Sequence, residues 1–311
     1  MRFSIIIPCL NRGHELQAAI ESCLSQSNPD FEVVVVDDGS TPPLQELCNA
    51  FADPRIRYHR NTSNLGVSAS RNVGIDLAQG QFVSFLDSDD IYLPNRLESL
   101  ERCIASCEAP PEIVFHRQNR LIGPDASAMV SPRRLPAPGE RLDDYILIHG
   151  HFVQTNTVIV DRLLARRVRF DERCTRHEDT KFVIECWLES RNFAVDPDVL
   201  SEYRDYRQSS RLSKQQGFDR LRPILDFAER SCSTRSYLGF AAYSVAEKSF
   251  FTHPIRNSRT LLQAYRSGTP LARCLIFLAR SIFGTATVDQ IVQLIRRGRI
   301  RLRSQISLHT R

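Results

Sequence analysis

Three short polar runs follow directly on apolar, strand-like segments, and their residue types could carry chemistry. Pro8-Cys9-Leu10-Asn11-Arg12 closes the first, Asp37-Asp38-Gly39-Ser40 the second and Asp87-Ser88-Asp89-Asp90 the third. In an extended chain residues two apart point to one side, so Asp87 and Asp89 can approach a single hard divalent cation while Asp90 points away. Mg2+ or Mn2+ is usually held by one or two carboxylates and completed by substrate phosphates, so such a pair suits a diphosphate-bearing ligand. An aspartate ahead of a helix led by Pro94 is equally an N-cap, and Asp-Gly-Ser is equally an ordinary turn. A fourth segment, Asn64 to Asn72, opens a helix after a turn. Its free N–H groups and dipole would favour an anion, with Arg71 adding a full charge; alternatively Arg71 is a solvated surface arginine.

A fifth candidate starts a helix at Arg176-His177-Glu178-Asp179. Phe182, Val183, Cys186 and Trp187 lie three, four, seven and eight residues after Asp179, so Asp179 heads the apolar stripe and points inward. Glu178 shares its face with Lys181 and Glu185. Taken alone, an inward carboxylate at a helix N-terminus is either a cap or a general base; burial would raise its pKa and the dipole would lower it.

These residues need a scaffold that brings strand ends together. Apolar runs at Phe3–Pro8, Phe31–Val36, Ile56–His59 and Phe82–Leu86 alternate with helical stretches at Glu15–Gln26, Leu44–Phe51, Val67–Ala78 and Asn95–Ser106. That alternation predicts an α/β fold with a doubly wound, mostly parallel sheet flanked by helices, and ligands in such sheets bind outside the carboxyl ends of the strands. Prolines 124, 132, 136 and 138 predict a long loop over Gly123–Gly139. A strand at Thr155–Val160, a short helix from Asp161 and a helix over Glu178–Ser190 follow, and beyond about Lys214 the chain reads as helices only.

Composition narrows the class. The chain has 311 residues, 42% apolar and 25% charged, the profile of a folded domain rather than a disordered or fibrous one. Nine cysteines, an odd number without a C-x-x-C pair, read as reduced buried thiols of a cytoplasmic protein. No run reads as a signal peptide or a membrane span; the stretch Leu271–Phe283 is short and interrupted by Arg273 and Arg280. From Pro270 to Arg311 the chain carries eight arginines and one acid, Asp289, so the net +5 leaves residues 1–269 at −2. The body is therefore not expected to bind nucleic acid. The stripe Val288, Ile291, Val292 and Ile295, followed by arginines 296–303, reads as a helix for an anionic membrane surface or, alternatively, as one packed on the catalytic domain. His149-Gly150-His151 lacks a third ligand nearby and reads as loop.

In order, Ser4–Arg12, Glu32–Ser40, Asn64-Leu65-Gly66 with Arg71-Asn72, Asp87–Asp90, Phe170-Asp171-Glu172 and Glu178-Asp179 resemble the inverting nucleotide-sugar glycosyltransferases of family 2, which have the GT-A fold. The resemblance covers roughly residues 1–213 and implies a nucleotide-binding half, 1–110, an acceptor-side half, 111–213, and a helical C-terminal region, 214–311. It implies that Pro8, Asn11 and Asp38 surround the base and ribose, that Arg71 and Asp87 help hold the nucleotide, that Asp89 binds the divalent metal, and that Asp179 is the catalytic base. It further implies a nucleotide-sugar donor and a glycan or lipid-linked acceptor; with the reduced thiols and the basic tail, a cytoplasmic enzyme peripheral on the inner face of the membrane is expected. Two family features are missing: no histidine stands in Tyr206–Ser213, and the only tryptophan, Trp187, is not part of Gln-x-x-Arg-Trp. The latter argues against a processive synthase.

The rival classes lack their own signatures. Pro8–Gly13 has no G-x-G-x-x-G, no Gly-Lys-Ser/Thr loop occurs, and Gly66–Ser70 lacks the second glycine of a nucleophile elbow. A non-catalytic sugar-nucleotide sensor would keep the fold, and Asp89 with Asp179 argues against it.

Overall fold

The computed structural model describes residues 1–122, 127–137, 139–151, 153–204, 218–245, 254–283 and 288. Two apolar strands, β1 (Phe3–Cys9) and β2 (Phe31–Asp37), are buried at every residue, as a central parallel pair covered on both faces requires. β1 pairs in parallel with β2 and with β4 (Phe82–Phe85), and β2 with β3 (Ile56–Arg60). The crossovers are α1 (Gly13–Leu24), α2 (Gln45–Ala50) and α3 (Val67–Leu77). α3 lies so close to β1 that a Cβ on Gly74 would overlap the Ile6 side chain.

In the second half the helices expected from Asp161 and over Glu178–Ser190 are present as Arg162–Val168 and Glu178–Glu189, and strands are found that the sequence reading does not contain. The two-residue β5 (Ile91–Tyr92) and α4 (Arg96–Ala105) precede β6 (Ile113–Ile122), β7 (Ser127–Ser131), β8 (Val158–Asp161), α5 (Arg162–Val168), α6 (Glu178–Glu189) and β9 (Phe193–Arg204). The sheet of the described residues runs β3-β2-β1-β4-β8-β6-β9-β5, with β7 on β6. β8 is antiparallel to β4 and β6, β5 to β9 and β7 to β6, whereas β6 and β9 are parallel. The sheet is therefore mixed.

The expected loop over 123–139 contains β7, whose register pairs Gln118 with Ser131. Neither β6 nor β9 announces itself by alternation, because β6 turns polar after Phe115 and β9 contains Pro197. That proline sits at an irregularity, where the register jumps from Phe115↔Val195 to Arg117↔Val199. The expected strand at Thr155 starts as a 3-10 turn over Thr155–Thr157.

The chain forms two compact units, Met1–Leu142 with His151–Lys214, and Asp143–Gly150 with Gln215–Arg311. The first holds the whole sheet. The second holds α7 (Arg222–Ser231), α8 (Thr234–Val245), α9 (Pro254–Arg266) and α10 (Leu271–Phe283). Residues 143–150 join it through carboxylates at the start of α8: Asp143 accepts from the Ser233 N–H at 3.0 Å, and Asp144 accepts from the hydroxyls of Ser233 and Ser236. No helix among the described residues is long and apolar enough to cross a membrane. The cysteines are free thiols, though Cys103, Cys107 and Cys232 are only partly buried. Of the expected tail stripe, Val288 is buried; Ile291, Val292, Ile295 and arginines 296–303 lie outside the described residues, as do Tyr206–Ser213.

Candidate active site

The carboxyl ends of β1, β2 and β4 converge with the N-termini of α3 and α6. Near the end of β1, Pro8 is paired with Val36, and after the strand Asn11 turns into the left-handed region at φ 53. The Asn11 side-chain oxygen Oδ1 accepts from the Thr41 N–H at 2.8 Å, and the Asn11 backbone N–H donates to Ser40 Oγ at 2.9 Å, tying the two strand ends together.

The two aspartates at the end of β2 have separate tasks. Asp37 is fully buried and accepts from the N–H groups of Ser40 and Leu44 and from the Tyr58 hydroxyl. Burial pushes its pKa up, but the hydrogen bonds from Ser40 and Tyr58 outweigh burial and hold it below the ordinary carboxylate value. Asp38 accepts from Asn61 Nδ2 at 2.8 Å and from the N–H groups of Leu65 and Gly66, both at 2.9 Å. It therefore fixes the turn that leads into α3. Between them and that turn, Gly39 has φ +83, and a Cβ there would come within 2.9 Å of the Ser63 backbone, so the close approach requires glycine.

Arg71, in the first turns of α3, is not a solvated surface residue. It is 3% exposed and donates to Asp87 Oδ1 at 2.7 Å and to Glu178 Oε1 at 3.2 Å, with its guanidinium 5.2 Å over the Phe170 ring. Burial disfavours its charge, but Asp87 and Glu178 outweigh that and hold it protonated. Asn72 clamps the segment before α6: it donates to the Phe170 carbonyl at 2.9 Å and accepts from the Phe170 N–H at 2.8 Å. Phe170 stacks on Phe182 at 3.9 Å, and Phe85 at the end of β4 packs edge-on against both. This aromatic cluster fixes α6 against the strand that carries the acidic loop.

Within that loop each aspartate has its own partner. Asp87 meets Arg71; Asp89, side chain 6% exposed, accepts from Arg12 Nη1 at 3.0 Å. Asp90 does not cap α4, whose N-cap Asn95 makes no side-chain cap bond. It accepts instead from Asn156 Nδ2 and from the Arg204 N–H, both at 3.0 Å, joining the loop to the end of β9. Among the described residues no three His, Cys, Asp or Glu side chains form a ready-made metal site. The chain turns at Ser88 and Asp89, with the Asp90 N–H donating to the Asp87 carbonyl at 2.9 Å, so the extended spacing expected to set Asp87 and Asp89 on one side is not found; both carboxylates remain hard oxygen donors of the kind that suits a divalent cation on a diphosphate.

Asp179 stands in the first turn of α6, behind the left-handed His177 at φ 58. It accepts from the Thr180 N–H at 2.6 Å. The residue is half-buried, and burial of its carboxyl, reinforced by the Glu178 charge, pushes its pKa up to about 7 despite Thr180 and Arg71. Helix spacing had grouped Glu178 with Lys181 and Glu185. Lys181 pairs with Glu185 at 2.6 Å, whereas Glu178 pairs with Arg71, 107 residues away in sequence. The structure thus brings Asp38, Arg71, Asp87, Asp89 and Asp179 to one edge of the sheet in one unit, with Pro8 and Asn11 on the adjoining strand end. Arg12, Asn72 and Glu178 join them; all three lie inside the motifs, but nothing in the sequence assigns them a role.

Residues 4–160 match the family described as Glycosyl transferase family 2. An uncharacterized glycosyltransferase of Haemophilus influenzae is 31% identical over 193 residues, covering 60% of this chain and 72% of that protein. The UDP-Glc:alpha-D-GlcNAc-diphosphoundecaprenol beta-1,3-glucosyltransferase WfgD of Escherichia coli is 39% identical over 95 residues, 30% of this chain and 38% of its own. In fold, the chain is similar to the crystal structure of S. aureus TarS 1-349 in complex with UDP-GlcNAc, with a TM-score of 0.66 at 18% identity, covering 94% of this chain and 92% of the other. The structural likeness shows the fold; the family match spans half of the chain and takes in the strand ends of β1, β2 and β4, and the chain accordingly belongs to glycosyl transferase family 2 and is a glycosyltransferase.

Proposed function

We propose that the protein moves a single sugar from a UDP-sugar to a hydroxyl of a glycan or lipid-linked saccharide, with inversion at the anomeric carbon and without processive extension. The observation that carries this reading is the Asp179 carboxyl at the start of α6, hydrogen-bonded by Thr180 on a half-buried residue, where burial and the Glu178 charge push its pKa up to about 7. A carboxyl poised near the working pH is suited to accept a proton from an attacking hydroxyl. The acceptor oxygen forms its bond to the anomeric carbon as its proton passes to Asp179, and the bond from that carbon to the diphosphate oxygen breaks on the opposite face. Mn2+ or Mg2+, held by Asp89 with Asp87 beside it, would supply charge stabilisation for the departing diphosphate. Arg71 orients Asp87 and Glu178 and adds positive charge toward the nucleotide. Pro8, Asn11 and Asp38 shape the base and ribose site, Asn11 and Asp38 by holding the two loops that border it.

The donor class and a lipid-linked acceptor are supported by the activity named for WfgD and by the UDP-GlcNAc in complex with TarS. Such an acceptor fits a peripheral protein on the cytoplasmic face of a membrane. A screen of UDP-sugars for an Mn2+-dependent rise in melting temperature identifies the donor. UDP release from that donor and acceptor then tests the reading: wild type should turn over and Asp179→Asn should bind the donor without turnover. Donor binding without any turnover by wild type would instead assign a sensor.

A further inference from the structure

The helical unit carries a second apolar face outside its own core. That core is built from Ala242, Leu261, Ala264, Cys274 and Phe277. On the outward side of α10, Leu271, Leu275 and Ile282 are spaced four and seven residues apart, which places them on one face. They are exposed by 53%, 55% and 36%, and Phe283 beside them by 67%. On α9, Ile255 and Leu262, 72% and 47% exposed, are each followed four residues later by an exposed arginine, Arg259 and Arg266. The spacing again sets all four on one face. From Lys248 to Val288 the sequence contains no aspartate or glutamate.

Exposed leucine, isoleucine and phenylalanine on two helices of an acid-free stretch, with exposed arginines on the apolar face of α9, are complementary to one kind of partner: an apolar layer beneath anionic headgroups. α10 has 13 residues, about 20 Å at ~1.5 Å per residue, too short to cross a bilayer core of ~30 Å. It would lie in the interface plane. We propose that the outward faces of α9 and α10 dock on an anionic lipid surface, independently of the basic tail at 296–303.

The test is sedimentation of the full chain with vesicles of phosphatidylcholine alone or mixed with phosphatidylglycerol. Two double variants retain the tail, Leu275→Ser with Phe283→Ser and Arg259→Glu with Arg266→Glu. Wild type should bind the anionic vesicles and not the neutral ones. Each double variant should lose at least about tenfold in affinity, equivalent to ~1.4 kcal/mol, with an unchanged melting temperature because the substituted side chains are exposed. Absence of wild-type binding, or undiminished binding by both variants, overturns the proposal. So does an oligomer that falls to a smaller species in the Leu275→Ser, Phe283→Ser variant without a change in vesicle binding, since that assigns the face to a second copy of the chain. Vesicle binding requires neither donor nor acceptor, so it succeeds or fails separately from the transfer reaction.

Discussion

Replacing Asp179 by asparagine should alter how stability depends on pH as well as how fast sugar is transferred. The carboxyl has a pKa of about 7 in the fold against an ordinary value of 3.8, because burial and the Glu178 charge disfavour its ionised form. With the folded value above the unfolded one, the stabilisation from this group is fully present below about pH 4 and is lost as pH rises through about 7. At ~1.36 kcal/mol per pKa unit the gap is worth on the order of 4 kcal/mol. Solvent screening of a partly open side chain reduces the expectation to about 2 kcal/mol. Asparagine keeps the oxygen that accepts from Thr180 but cannot ionise. Wild type and variant should thus be equally stable near pH 4, and the variant should be more stable by about 2 kcal/mol at pH 8. Denaturant melts from pH 4 to pH 8 in metal-free buffer measure this. A difference that stays constant with pH refutes the placement of an uncharged-preferring carboxyl at position 179. In the transfer assay the wild-type rate should rise through about pH 7, and the variant should be slower by roughly 100- to 10,000-fold, the usual worth of a general base. Near-normal transfer by the variant removes Asp179 from the mechanism.

The Asp89→Ala variant should lose the Mn2+ dependence of UDP binding; tighter UDP binding with Mn2+ than with chelator in that variant, measured by calorimetry, would count against Asp89 as the metal ligand. Glu178→Gln removes a negative charge that raises the Asp179 pKa, so the acidic limb of the pH–rate profile should move below 7, which a rate series in pH checks. Because Glu178 also pairs with the buried Arg71, this substitution should lower the melting temperature as well. Asn72→Ala leaves both polar backbone groups of Phe170 without their side-chain partner and should cost ~3 kcal/mol by chemical denaturation, with a value under ~0.5 kcal/mol refuting the clamp.

The first half of the fold and the order of the acidic motifs were readable from the chain itself. Buried parallel strands must be continuously apolar, so β1, β2 and β4 declare themselves, and the polar residues after them fall at the strand ends by connectivity alone. Helix periodicity likewise pointed Asp179 inward, since its stripe is local. Tertiary structure decided what each polar group does there. Whether Arg71 faces solvent or an ion pair depends on Glu178, 107 residues distant, and whether Asp90 caps a helix or ties a strand depends on Asn156 and Arg204. β6 and β9 carry no alternating pattern of their own, because they are held by neighbouring strands, and Pro197 is accommodated by an irregular register that no local rule contains. The position of Asp179 on its helix is a property of the sequence. Its pKa of about 7 arises only when the fold buries that carboxyl, sets Glu178 beside it and turns Arg71 to counter both, because desolvation and charge proximity are properties of space rather than of sequence.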